Sequence, residues 1–226
     1  RNDRVVWASC MVACGDADGA VTGNTRRFGA SLDKIKQVVN PRPGEIMFGL
    51  NLVVHKGKTI FVADTSVHEY PSSEQMSEIA ISAARVVRLF GFDPKVAFVS
   101  HSTFGQPVTS RTKHIKKAVD ILKEKNVDFE FDGDMQPDVA LNKEYKNLYP
   151  FSNIVGNANI LIMPGQHSAA ISYKMMKELG DTKVIGPLLI GLGLPIEIAP
   201  LRTSTSELIN LASIAAYSAD VIDYKK

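Results

Sequence analysis

The sequence predicts an α/β fold with a mostly parallel sheet covered by helices on both faces. Three observations carry this. Apolar, β-rich runs alternate with amphipathic segments of helical length along the chain. From Lys95 onward the strand–helix rhythm becomes regular. The composition is that of an ordinary globular protein: 226 residues, 45% hydrophobic and 22% charged, enough for one large domain or two modest lobes.

Residues 2–14 read as a helix capped by Asn2 or Asp3. Residues 19–23 form a short strand, and a helix follows over about 25–39. Pro41 and Pro43-Gly44 end that unit and mark a linker. Runs 47–54 and 59–63 are β-rich and are joined by His55-Lys56-Gly57-Lys58, a hairpin signal. The clearest helix comes next. Ser72 and Gln75 make a capping box, and Met76, Ile79, Ala83, Val87 and Phe90 share one face. Gly91 supplies the left-handed stop, and Pro94 cannot continue the helix. Strands are then predicted at 95–100, 127–131, 159–163, 184–189 and 196–199, with helices near 111–125, 140–148, 168–179 and 206–221.

Net charge is +2, from 26 basic and 24 acidic residues, so no nucleic-acid groove or membrane-binding face is expected. Cys10 and Cys14 lie four apart on one helix face, poor geometry for a disulfide, and no histidine is near enough in sequence for a zinc site. They read as buried thiols of a reducing, cytoplasmic compartment. No signal-peptide pattern or membrane-length apolar run is present. The chain begins with Arg1 rather than Met and reads as part of something longer.

Ligands of open α/β sheets sit outside the carboxyl ends of the strands. Four loops there could carry chemistry. Ser100-His101-Ser102-Thr103-Phe104-Gly105 has small hydroxyl residues and a glycine at a helix entrance, suited to phosphate or simply to capping. Asp132-Gly133-Asp134 through Asp138 could hold Mg²⁺ through oxygen, but an Asp/Gly turn needs no ligand. Pro164 to Ala170, continuing to Tyr173-Lys174, leaves backbone amides accessible at a helix start. The fourth runs from Gly186-Pro187 to Arg202-Thr203-Ser204. His101 and His167 lie in these loops without a third metal ligand. No P-loop, Ser-His-Asp spacing or strand-following G-x-G-x-x-G is present, so nicotinamide binding within this chain is not expected.

Taken in order, these segments resemble the phosphotransacetylase (phosphate acetyl/butyryltransferase) family. Residues 14–23 resemble its G-[ED]-A-D-G-x-V-[ST]-G segment, and Ser100 to Gly105 its F-S-T-K-G loop. Asp132 to Asp138 resemble D-G-E-L-Q-x-D. Residues 158–164 with Tyr173-Lys174 resemble A-N-x-L-I-x-P…Y-K, and residues 185–192 resemble I-G-P-I-L-x-G-L. Counted without gaps from Gly186-Pro187, the departures fall where active members carry L-S-R-G-x-S-x-x-D: Pro200 stands for the Ser, Leu201 for the Arg and Glu207 for the Asp, with Arg202 one residue out of register. Phe104 stands for the Lys of F-S-T-K-G, and Asp33 for an early Arg.

With Asp64-Thr65 and the His-Ser-x-Phe-Gly loop, these departures resemble the phosphotransacetylase-like part of bacterial NADP-dependent malic enzymes. The resemblance implies two three-layer α/β lobes with a cleft between them, related to the isocitrate/isopropylmalate dehydrogenase-like folds. The first lobe would be 1–42 with 185–226, lacking an N-terminal stretch, and the second, dimer-forming lobe 43–184. It implies acetyl-CoA as an effector, held by Ser102, Thr103, Gly105, Asp132, Pro164, Ala169, Ala170, Tyr173, Lys174, Leu201, Arg202 and Thr203. It implies no transferase catalysis and no metal in this chain, with NADP and a divalent metal confined to a separate catalytic part. Partners would be those malic enzyme catalytic domains and further copies in a homo-oligomer. The alternative is an active acyltransferase moving an acyl group between CoA and phosphate.

Overall fold

The computed structural model describes residues 3–222, the side chain of Lys146 excepted. They form α1 (Arg4–Cys14), β1 (Ala20–Gly23), α2 (Phe28–Ile35), β2 (Phe48–His55), β3 (Lys58–Ala63), α3 (Ser73–Leu89), β4 (Lys95–Val99) and α4 (Ser110–Glu124). Then follow β5 (Glu130–Met135), α5 (Pro137–Leu141), α6 (Lys143–Lys146), β6 (Ile160–Ile162), α7 (Gln166–Leu179), β7 (Thr182–Ile190), β8 (Ile196–Ala199) and α8 (Thr205–Val221). The chain divides into two compact units, residues 1–51 with 185–226, and residues 52–184. The division falls inside β2 rather than at the Pro41–Gly44 linker.

In the first unit, Asp3 caps α1 by accepting from the Val5 N–H at 2.9 Å, and its carboxylate pairs with Arg26 at 2.7 Å. The other candidate cap, Asn2, lies outside the described residues. Val5, Ser9 and Val12 face inward, and this spacing turns Cys10 and Cys14 outward. Both thiols are exposed, correcting the expectation that they are buried. β1 and β8 pair in parallel, Ala20 opposite Ile196 through Gly23 opposite Ala199.

The second unit holds most of a six-stranded sheet of order β5-β4-β6-β3-β2-β7. β5, β4, β6 and β3 run parallel. β2 turns into β3 through Lys56 (φ 48°) and Gly57 (φ 75°), both left-handed as a two-residue hairpin demands. α3 starts with the predicted Ser72/Gln75 capping box, and its Met76, Ile79, Ala83 and Val87 face is buried. The strand expected at 127–131 instead occupies Glu130–Met135. The Asp132-Gly133-Asp134 stretch is therefore ladder rather than loop, with a register shift opposite Phe98/Val99. Gly133 permits it: a Cβ there would lie 2.7 Å from the Phe98 Cβ at a φ of 152°. The helix expected near 140–148 is two short pieces, α5 and α6, separated at Asn142, which caps the second through the Glu144 N–H.

Glu197 on β8 is buried, with one carboxylate oxygen accepting from the Leu189 N–H at 2.9 Å. Burial pushes its pKa up from 4.5 to about 8, partly opposed by that hydrogen bond. The folded state therefore holds a proton that the unfolded chain releases. Below pH 4.5 both states are protonated. Stability falls as pH rises from about 4.5 to about 8, where Glu197 ionises in place, and the cost is constant above. Glu197→Gln should keep the Leu189 contact, flatten this slope and leave the variant more stable than wild type at pH 8.5. Urea unfolding at pH 5, 6.5 and 8.5 reads the difference, and parallel curves for the two proteins would contradict it.

Candidate functional site

Parallel pairing of β3, β6, β4 and β5 brings the segments after β3, β4 and β6 to one edge of the second unit. The segment after β4 is organised by a carboxylate. Asp134, buried at the end of β5, accepts from the Ser102 hydroxyl through Oδ2 and from the Gly105 N–H through Oδ1 at 2.8 Å. Its backbone carbonyl accepts from the Phe104 N–H at 2.6 Å. Ser100 Oγ lies 3.0 Å from Ser102 Oγ, and Thr103 Oγ1 accepts from the Gln136 N–H at 3.3 Å. Of the predicted residues here, Ser102 is thus fully buried and turned to Asp134, while Thr103 and Gly105 hold the turn around it.

Asp132 is likewise structural. It accepts from the Gly133 N–H at 2.9 Å and from the Asn153 N–H at 2.8 Å, tying β5 to the segment before β6. Among the described residues no group of three or more His, Cys, Asp or Glu side chains could hold a metal ion.

The segment after β6 behaves differently. Gly165 must be glycine because an added Cβ would lie 2.6 Å from the Glu69 carbonyl oxygen. That close approach lets the Gln166 N–H donate to the same carbonyl at 3.1 Å and sets where α7 begins. No side chain caps α7, and its first turn carries no acid, so its N-terminus presents backbone amides. Pro164 and Ala170 are half-buried and Ala169 is fully buried. Tyr173 packs on the core, where burial raises its pKa, and the exposed Lys174 ammonium lies 5.9 Å from its ring centroid. His167, on the first turn, is 3.3 Å from Glu69 and stacks on Tyr70, whose other neighbour is Arg111 at 4.8 Å.

In the first unit, Leu201 and Arg202 are exposed after β8, at the same end of the β1–β8 pair as Asn24. Asn24 accepts from the Thr203 N–H at 3.1 Å, and the Thr203 hydroxyl donates to the Pro200 carbonyl at 2.6 Å. The register of this loop is therefore held on both sides of Arg202, which takes a left-handed φ of 62°. A groove of about 1030 Å³, lined by Cys14, Asp18, Pro195 and Asp220 among others, lies where the chain enters β1 and β8. It contains none of the predicted binding residues.

Two features were missed in the sequence. One is the Asp64–His68 brace, in which Asp64 is buried and accepts from three successive backbone N–H groups (Ser66, Val67 and His68) and lies 2.7 Å from the His68 ring. An Asp ending a strand before a polar turn was the available signal. The other is the aromatic trio Phe104, Tyr149 and Phe151, with centroids 4.8–6.1 Å apart. Residues that far apart in sequence gave no signal of meeting.

Asp134→Ala should leave the Ser102 hydroxyl and Gly105 N–H without their acceptor and cost about 2–4 kcal/mol of unfolding free energy. Asp134→Asn keeps one acceptor and should cost less than half as much. Denaturant unfolding measures both, and an Ala variant as stable as wild type would remove Asp134 as the brace of this loop.

Among the described residues no helix is long and apolar enough to cross a membrane. Comparison with known proteins matches the family model for phosphate acetyl/butaryl transferase over residues 1–216. The chain is 46% identical over 219 residues to an NADP-dependent malic enzyme of Rhizobium meliloti (strain 1021), covering 97% of this chain and 29% of that protein. It is 31% identical to an NADP-dependent malic enzyme of Escherichia coli (strain K12), covering 95% and 29%. A phosphate acetyltransferase of Clostridium acetobutylicum is 31% identical over 96% of this chain and 68% of its own length. The chain thus spans less than a third of the malic enzymes it matches. Among solved structures, a phosphotransacetylase from Streptococcus pyogenes superposes with a TM-score of 0.89 at 29% identity, covering 95% of this chain and 67% of that one. One from Staphylococcus aureus gives 0.84 at 27%, with the same coverage. With its parallel sheets, its ordered motifs and this match along nearly its whole length, the chain belongs to the phosphate acetyl/butaryl transferase family.

Proposed function

We propose that this chain is the acetyl-CoA-binding regulatory part of an NADP-dependent malic enzyme and does not itself transfer acyl groups. The observation that carries the reading is the loop after β8. Counted without gaps from Gly186-Pro187, Pro200 and Leu201 stand where active relatives' motif has Ser and Arg, with Arg202 one residue out of register. Transfer to phosphate needs cations around a doubly charged nucleophile and a donor beside the thioester. Pro200, Leu201, Phe104 and Asp33 supply none of these. The small-residue start of α7 remains suited to an acyl-CoA phosphate, with Lys174 exposed on the same helix. The likeness to malic enzymes supports the context.

In that context the parent reaction is oxidative decarboxylation of malate to pyruvate in the cytoplasm, with NADP and a divalent metal held by separate catalytic domains. Acetyl-CoA acts by preferring one state of a homo-oligomer, since a ligand shifts an equilibrium only through its differential affinity. The second reading, a working phosphate acyltransferase, is favoured by one residue. Arg202 is exposed in the same loop and could present a guanidinium to phosphate.

Calorimetric titration of the chain with acetyl-CoA, beside an assay of phosphate- or arsenate-dependent thioester loss, separates the readings. Expected are saturable binding, no turnover above background, and weaker binding in Arg202→Ala. Losing a single donor aimed at developing charge costs about 10²–10³ in rate. Robust turnover abolished by Arg202→Ala would establish the acyltransferase instead, and no binding at all would leave a plain assembly domain.

A further inference from the structure

The segment after β3 carries a histidine that is held at one ring nitrogen and open at the other. Asp64, directly after the strand, is buried. Its Oδ1 accepts from the Ser66 and Val67 N–H groups at 2.9 and 3.1 Å, and its Oδ2 accepts from the His68 N–H at 2.7 Å. The His68 ring brings Nδ1 to the same Oδ2, also at 2.7 Å. A carboxylate offers lone pairs and no proton, so the nitrogen facing it is the donor. In the neutral ring Nδ1 then carries the hydrogen, and Nε2 keeps a bare lone pair.

The Asp64 side chain is 1% exposed and that of His68 19%. The accessible part of the ring is therefore the side turned away from Asp64, which carries Nε2. Among the described residues nothing donates to that nitrogen. The ring's place is fixed as closely as its tautomer. The next residue, Glu69, gives its carbonyl to the Gln166 N–H at 3.1 Å beneath Gly165, so His68 stands beside the contact that starts α7. The three backbone bonds to Asp64 brace the turn without the ring. What the ring contact adds is orientation: a buried acid fixes one nitrogen and presents the other.

We propose that His68 Nε2 accepts a hydrogen bond from an uncharged N–H or O–H of the ligand bound at this edge, with Asp64 as its positioning residue. This deepens the acetyl-CoA reading above and rests on it. A bare nitrogen lone pair repels phosphate oxygens and has nothing to donate to a thioester carbonyl. It therefore selects a different part of the ligand from the amides at the start of α7. Acetyl-CoA carries donors of this class in two places, the amides and hydroxyl of its pantetheine arm and the amino and hydroxyl groups of its nucleotide. The assignment adds a residue after β3 to the binding set expected from the sequence, which has none there.

Calorimetric titration at pH 8 with acetyl-CoA, and with ADP as a probe lacking the pantetheine arm, tests this in the wild type and two variants. His68→Asn keeps an N–H where Nδ1 lies, and with it the Asp64 bond, but has no atom at Nε2. It should bind acetyl-CoA about 10-fold more weakly, the size of one lost hydrogen bond, with thermal unfolding unchanged. His68→Gln restores an acceptor at the Nε2 position and should recover most of that affinity. A loss for acetyl-CoA alone assigns the donor to the arm, and a loss for ADP as well assigns it to the nucleotide. Nitrogen NMR of the wild-type histidine rings should show Nδ1 of His68 protonated and Nε2 bare, with Nε2 shifting as acetyl-CoA saturates the protein. A histidine that only braces the turn would leave that resonance unmoved. A ring protonated on both nitrogens, or His68→Asn binding as tightly as wild type, would overturn the role of His68 and leave acetyl-CoA binding standing. A wild type that binds no acetyl-CoA would overturn both.

Discussion

The parallel ladder of β3, β6, β4 and β5 imposes the constraint from which the rest follows. Parallel strands need connections that cross one sheet face or the other, so both faces must be covered and the inner strands β3, β6 and β4 are apolar on both sides. That is why Phe61, Phe98, Ile160 and Ile162 are buried beneath α3 and α4 while Val62, Ala97 and Leu161 are buried on the other side. It is also why the turns after β3, β4 and β6 gather at one edge. Position at that edge comes from topology. What each turn can do there depends on where its polar groups are spent.

Three carboxylates show this spending. Asp64, Asp132 and Asp134 sit at or near strand ends, are nearly inaccessible, and accept from backbone N–H groups or a buried hydroxyl. Losing the acceptor would strand several donors at once. The acids therefore stiffen the edge. The turn after β4 is closed upon Asp134. The start of α7 lacks both a side-chain cap and an acid, and its Gln166 N–H donates to the Glu69 carbonyl.

Much of this was present in the linear sequence, because local signals dominate where they are strong. The Ser72/Gln75 capping box, the Gly91 stop and the Lys56-Gly57 turn depend on neighbours a few residues away, and α3 and the hairpin stand where those signals put them. The order of motifs was enough to identify the family. Tertiary structure decided the rest. Asp132-Gly133-Asp134 reads as a turn by composition, yet pairing with β4 draws it into the sheet, since a ladder satisfies more backbone groups than a turn can. Helical spacing placed Cys10 and Cys14 on one face, but only packing decided that Val5, Ser9 and Val12 would be the inward one. The Ser102 hydroxyl donates to Asp134, 32 residues away, a partner that no local pattern indicates. Partners distant in the chain leave no periodic trace, and so the use of each polar group is settled only when the sheet closes.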